Sequence, residues 1–356
     1  MNSIKLLIVE DDAQELEVCQ TSIAMYKEER GRQVEILVCS TVEDALSRLD
    51  NTFDGAIIDL KLGDEGNEGN QIIERIADSY FRIPIAILTG TPDAADDKYN
   101  YIGVFKKGDE NARYSDLLDR FYEIYSTGLT RIMGGRGLIE ETLNKVFLSN
   151  ILPQIETWKK YGSENSAKTE TALLRHIMGY LCHLLDWDDE SSFPEEMYLY
   201  PPLDSNIRPG SILQNTTEVP YVVMSPACDL VRRKSGAFKT DRILLAEIEK
   251  DSSIVDLATD GCSAAGKRER KLKELSNNNY THYYHWLPKT EFFDGGFINF
   301  RKLSSFSPDL FEKEFKFPYI QISSFYMKDI VSRFSSYYAR QGQPDLRNTA
   351  FIDDFK

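Results

Sequence analysis

The chain has 356 residues, with 42 Lys and Arg against 57 Asp and Glu, a formal net charge of −15, and 42% hydrophobic content. That length suits two or three domains with cores of their own, and the acid excess excludes a protein that holds nucleic acid by bulk charge. No apolar run reaches the ~18 residues of a spanning helix and no basic-then-apolar leader opens the chain. The five scattered cysteines, Cys19, Cys39, Cys182, Cys228 and Cys262, suit neither a disulfide framework nor a zinc cluster, so a soluble, reduced, cytoplasmic chain is expected.

The apolar run Ile4 to Val9 predicts a strand that closes in an acidic pair, Glu10-Asp11. A second run, Ala56-Ile57-Ile58, closes in Asp59. The run Ile83 to Leu88 ends in Thr89-Gly90, and Gly103-Val104-Phe105 ends in Lys106-Lys107. Parallel strands with such ends bring carboxylates, a hydroxyl and an ammonium to one carboxyl edge, where open α/β sheets place their ligands. Three carboxylates there supply the hard oxygen donors that a divalent cation such as Mg²⁺ takes. A helix from about Tyr114 to Tyr125 follows, with Leu117, Leu118, Phe121 and Ile124 at helical spacing.

In the order and spacing of these strand-end residues, the first ~127 residues resemble the receiver domain of response regulators, the CheY-like superfamily. The resemblance implies a flavodoxin-like, doubly wound α/β fold with a five-stranded parallel sheet. It implies that Asp59 is a phosphoacceptor, that Glu10 and Asp11 with Asp59 hold Mg²⁺, and that Asp12 occupies a place where the family often has another acid. Thr89 would hydrogen-bond the phosphoryl oxygens, Lys106 or Lys107 would neutralise their charge, and a histidine-kinase-like protein would be the phosphodonor. The chain departs from the family pattern in three places. The segment from Leu60 to Gly69 is long and acidic, the segment from Gly90 to Phe105 is short with a stunted fourth helix, and the place of the aromatic switch holds Gly103 or Val104.

Residues 1–127 carry −13 of the net charge, which leaves the remainder nearly balanced. The glycine-rich stretch Ile132 to Gly137 lacks the lysine of a phosphate loop and reads as a hinge. Apolar spacing then predicts two long amphipathic helices, from Leu138 to about Trp158 and from Ser166 to Leu185, as a helical connector over 128–193. His176 and His183 share a face of the second; a metal site there needs further ligands. By analogy, such a pair serves for dimerisation or signal relay, and a homodimer through it is one expectation.

From 194 to 356 a β-rich output domain is expected, with strands near 207–213, 219–226, 243–248, 283–287, 296–300 and 319–323, and a closing helix from Tyr326 to Tyr338. These strands suggest a strongly curved barrel, faintly similar over some 40 residues to the SH3-like barrel of the PemK/MazF toxin ribonucleases. Cys228, with Asp229 beside it, follows a strand, and His282 and His285 are candidate partners for a nucleophilic thiol. The alternative is a structural cysteine with Asp229 capping a turn. The basic run Lys267 to Lys273 reads either as a contact to nucleic-acid phosphates or as a solvated helical face. The polar tail from Arg340 to Asp345 suggests a ligand or protein site, or a loose terminus.

Three functions are compatible with this pattern. The first is a phosphoacceptor signalling protein that controls an output module without DNA-binding motifs, in a bacterial stress or phage-defence setting. The others are a receiver-regulated nuclease or Cys-dependent hydrolase, and a docking scaffold whose receiver is never phosphorylated.

Overall fold

The computed structural model describes residues 3–184, 192–316, 318–340 and 353. It divides into two compact units, Met1–Asp188 and Asp189–Lys356. The predicted connector helices therefore group with the parallel sheet.

In the first unit, β1 (Ile4–Val9), β2 (Val34–Cys39), β3 (Gly55–Ile58), β4 (Ile85–Thr89) and β5 (Gly103–Lys106) form one parallel sheet in the order β2-β1-β3-β4-β5. This is the doubly wound, flavodoxin-like arrangement expected from the sequence. Strands β1, β3 and β4 are nearly all buried, as befits a sheet covered on both faces. On one face Ile4, Leu6 and Ile8 pack against α1 (Ala13–Arg30) and α4 (Tyr114–Ser126), through Ile23, Tyr26, Leu117 and Phe121. On the other, Leu7, Val9, Ile58 and Ile87 meet α2 (Val42–Arg48) and α3 (Gly69–Asp78), through Ala45, Ile72, Ile73 and Ile76.

Between β4 and β5 a single 3-10 turn, Pro92–Ala94, stands where a fourth helix would. Pro92 begins it and the polar stretch after it lacks an apolar period, so no longer helix can bury a face there.

Helices α5 (Leu129–Met133), α6 (Leu138–Val146), α7 (Ile155–Glu164) and α8 (Ser166–His183) follow. The predicted helix from Leu138 to Trp158 is broken by a wide turn, Phe147–Ile151, and a 3-10 turn, Leu152–Gln154. Pro153 has no N–H for the Ser149 carbonyl and its ring crowds it, which opens the preceding turn. Asn165 alone separates α7 from α8, and its side chain accepts from the Lys168 N–H. His176 packs 5.7 Å from Trp158 and 5.1 Å from Tyr180, ring to ring. Leu185, the predicted end of this helix, lies outside the described residues.

The expected hinge is a docked loop. Gly135 donates to the Asn51 carbonyl at 3.0 Å, Arg136 pairs with Asp54 at 3.3 Å, and Arg82 binds the Met133 carbonyl and Glu140. A Cβ on Gly135 would sit 2.2 Å from the Asn51 oxygen, so only glycine allows this approach.

The second unit is a seven-stranded antiparallel sheet, ordered β10-β11-β9-β8-β7-β12-β6. Its strands are β6 (Tyr198–Leu199), β7 (Ser211–Gln214), β8 (Pro220–Val223), β9 (Ile243–Glu249), β10 (Tyr284–Leu287), β11 (Gly296–Phe306) and β12 (Ile320–Ile322). It is a curled half-barrel, in keeping with the expected barrel-like domain, and among the described residues its edge strands β10 and β6 pair on one side only. Strand β11 runs six residues past the expected end and shifts register against β9 between Ile298 and Leu303. That bulge bends the sheet around α12 (Ser324–Tyr338). Met327, Ile330 and Phe334 of α12 fill the concavity with Phe300, Ile248 and Ile322. Three helices lie among the strands, α9 (Asp251–Thr259), α10 (Ala265–Ser276) and α11 (Pro308–Glu314).

Beneath α12 lies His285, 2% exposed, with both ring nitrogens lacking a hydrogen-bond partner. Burial, aided by the nearby Arg333 guanidinium, pushes its pKa from the ordinary 6.5 down to about 3. The Asp329 carboxylate lies 3.7 Å from Nδ1 but is largely exposed, so it opposes this shift weakly. Between pH 6.5 and 3 the unfolded chain holds a proton that the folded chain refuses. Stability from this residue is therefore full above about pH 6.5 and is lost as pH falls, by up to ~1.4 kcal/mol per unit. Urea unfolding of the second unit should show about 2 kcal/mol more destabilisation between pH 7.5 and 5 in the wild type than in His285→Leu. An identical pH dependence in the two proteins would refute this.

Candidate phosphoacceptor and cation site

Parallel pairing carries the ends of β1, β3, β4 and β5 to one edge, and the ladder continues past each strand. Asp59 donates its N–H to the Val9 carbonyl at 2.9 Å, and Lys107 donates to the Thr89 carbonyl at 2.9 Å. These bonds fix where the next side chains emerge. Glu10 and Asp59 are 2% and 3% exposed, and Lys107 Nζ lies 2.7 Å from Glu10 Oε2 and 2.6 Å from Asp59 Oδ2. The other Asp59 oxygen accepts the Lys61 N–H at 3.0 Å.

Two acids buried side by side are short of water, and the ammonium between them supplies an opposite charge and hydrogen-bond donors to each. Burial raises the Glu10 pKa against the lowering pull of Lys107. Burial also acts against the Lys107 charge, but its hydrogen bonds to Asp59 and Glu10 outweigh this and raise its pKa.

Lys106, the last residue of β5, is exposed, so of the two candidate lysines it is Lys107 that reaches the acids. Counting back three places from Lys107 gives Val104, which is 40% exposed and has no ring to move. Asp11 is exposed, and its carboxylate, with those of Glu10 and Asp59, offers oxygens all within 4.8 Å of one another. That all-oxygen, closely spaced set fits a hard divalent cation. Asp12 serves as the cap of α1, accepting the Gln14 N–H at 2.7 Å and the Glu15 N–H at 3.2 Å.

Thr89 is fully buried at the end of β4, and its Oγ1 accepts the Thr91 N–H at 3.3 Å. The acidic loop from Leu60 to Glu68 is gathered by the Glu68 carboxylate, which accepts from the N–H groups of Leu62, Glu65 and Gly66. A hydrogen bond from its own backbone N–H, and after it those from these three amides, hold the Glu68 pKa below the ordinary value. Gly69 ends the loop, where a Cβ would meet the Asp59 carbonyl oxygen at 2.2 Å. Thr91 and Glu68 escaped the sequence analysis, since nothing in their spacing signals a contact across loops.

In the second unit the candidate thiol meets its neighbouring carboxylate, and no hydrogen bond among the described residues joins it to a histidine. Cys228 is exposed, its thiol 3.4 Å from the Asp229 carboxylate, whereas neither nitrogen of the buried His285 has a hydrogen-bonding neighbour. His282 is exposed. The basic run forms the outer face of α10 and pairs largely within it: Arg270 and Lys271 with Glu274, and Lys273 with Glu269. Arg340 ends the described part of the polar tail, and 341–345 lie outside the described residues.

No protein-family model matches the sequence, and no curated protein does. Among solved structures the chain is similar, over its N-terminal part, to a CheY-like receiver domain from Methylobacillus flagellatus, with 17% identity over 34% of this chain and 99% of that one, and a TM-score of 0.28. It is similar to a receiver domain from Methanospirillum hungatei JF-1, with 23% identity over 36% of this chain and 98% of that one, TM-score 0.27. It is similar also to the chemotaxis response regulator CheY4 of Vibrio cholerae, with 19% identity over 34% and 99%, TM-score 0.25. These likenesses concern fold.

Replacing Lys107 by Met should destabilise the first unit by about 3 kcal/mol at pH 7, because it leaves two buried carboxylates without a counter-ion. Lys106→Met should change stability by less than about 0.5 kcal/mol. Equal urea midpoints for the two variants would contradict the assignment of Lys107.

Proposed function

We propose that the chain is a response-regulator-like signalling protein in which Asp59 accepts a phosphoryl group and the C-terminal unit is the output module. The observation that carries this reading is the Lys107 ammonium lying between Asp59 and Glu10 at the carboxyl edge. In the proposed step a carboxylate oxygen of Asp59 attacks phosphorus, a P–O bond forms, and the donor's P–N or P–O bond breaks with its electron pair leaving on the donor. Lys107 keeps its proton and balances the charge that gathers on the phosphoryl oxygens, and the Thr89 hydroxyl donates to one of them. Glu10, Asp11 and Asp59 would hold Mg²⁺, which supplies further charge neutralisation. A histidine-kinase-like protein is the donor in this reading.

Intact-protein mass after incubation with Mg²⁺ and acetyl phosphate tests it. Wild type should gain one phosphoryl adduct, Asp59→Asn should gain none, and Cys228→Ala should gain as much as wild type. A wild type that stays unmodified by both acetyl phosphate and candidate kinases would leave the docking-scaffold reading in its place.

Self-association through α8 belongs to the same proposal. Leu174, Met178 and Leu184 are 61%, 48% and 47% exposed and, with Leu181, recur at three and four residues along one stripe. A second copy of the same stripe would bury it in a two-fold, coiled-coil-like contact. Sedimentation should show a dimer that Leu174→Glu with Met178→Glu weakens at least tenfold. A wild type that stays monomeric at high micromolar concentration would dismiss it.

A further inference from the structure

The segment after Thr89 is tied to the segment after Asp59 by two hydrogen bonds. The Thr91 hydroxyl donates to the Gly66 carbonyl at 3.3 Å, and the Asn70 amide donates to the Ala94 carbonyl at 2.9 Å. Thr91 is also joined to Thr89 twice, by its N–H at 3.3 Å and by its hydroxyl, 3.4 Å from Thr89 Oγ1. It is thus the one described residue with hydrogen bonds both to the Thr89 hydroxyl and to the acidic loop. All three of its bonds are long for their type, so each is readily exchanged for a better partner. At the loop end, Gly66 stands at φ +82°, and its N–H is held by Glu68, which binds two further amides of the same loop. A pull on the Gly66 carbonyl therefore acts on the loop as a whole.

The more familiar direction of response is poorly built here. Only the turn Pro92–Ala94 lies between β4 and β5, and exposed Val104 offers no ring to rearrange.

We propose that Thr91 is a positioning residue that couples the Thr89 hydroxyl to the acidic loop, so that phosphorylation of Asp59 is reported by a change in residues 60–68. The proposal rests on the phosphoacceptor reading. When the Thr89 hydroxyl turns to a phosphoryl oxygen it gives up its contacts with Thr91. Thr91 then reorients and its bond to the Gly66 carbonyl is lost. The loop, which carries Asp64, Glu65 and Glu68, is thereby released next to the site. A partner that reads the phosphorylated state would do so at this loop.

The test is hydrogen exchange on the full chain, with and without acetyl phosphate and Mg²⁺, in wild type, Thr91→Val and Thr91→Ser. Thr91 is exposed, so loss of its hydroxyl leaves the core intact. In the unphosphorylated state Thr91→Val should exchange its 62–68 amides about threefold to tenfold faster than wild type, the range expected for one hydrogen bond. On phosphorylation the wild-type loop should speed up by a similar factor. Thr91→Val should take up the phosphoryl group yet show no further change, and Thr91→Ser should restore the wild-type response. A phosphorylated wild type whose loop exchanges as before overturns the proposal alone, as does Thr91→Val that responds like wild type. A wild type that forms no adduct removes the phosphoacceptor reading and this proposal together.

Discussion

Two buried carboxylates share one ammonium at the carboxyl edge of the parallel sheet, and the first unit is organised by that constraint. Asp59 and Glu10 are buried side by side, and the Lys107 ammonium lies within hydrogen-bonding distance of both, which gives the poorly solvated acids a partner that water does not supply. The cation must come from a third strand end, so the order of β1, β3 and β5 is part of the chemistry. The same arithmetic makes room for a metal: Asp11 leaves a third carboxylate at the mouth of the site, exposed and close enough to join the other two around a divalent cation.

The departures from the receiver pattern belong together. Without a full helix between β4 and β5, the polypeptide after Thr89 packs Ala94, Ala95, Tyr99 and Tyr101 part-way against the core, and polar ties to the neighbouring loop and α3 add to this anchoring. The loop from Leu60 to Glu68 meets this segment at Gly66, whose carbonyl accepts from the Thr91 hydroxyl. The loop is gathered by the Glu68 carboxylate, which accepts from three of its backbone amides.

The second unit follows another logic. Its half-barrel closes over α12 rather than over itself, and aromatic side chains, Phe300 against Phe334 and Tyr283 against Tyr337, seat the helix. The thiol that looked reactive in sequence stands in solvent beside the Asp229 carboxylate. The histidine that was to activate it is sealed in the core, where burial keeps it neutral. The positive helix α10 spends much of its charge on its own glutamates.

Much of this was written locally. Apolar runs of strand length ending in Asp, Glu, Thr and Lys are a one-dimensional record of a parallel sheet, because each strand points its last residue to the same edge. The short segment after Thr89 and its lack of helical period were equally visible. Direction and distance, by contrast, emerge with folding in three dimensions. Lys106 and Lys107 are adjacent and alike, and strand geometry sends one outward and the other to the acids. Cys228, in a turn after β8, and His285, on β10, are 57 places apart, and whether such residues pair could not be read from order alone. The break near Pro153 set a local rule against a longer apolar pattern, and packing settled it with a wide turn. Sequence determines which groups each strand can deliver, since that depends on neighbours along the chain; which groups meet depends on neighbours in space.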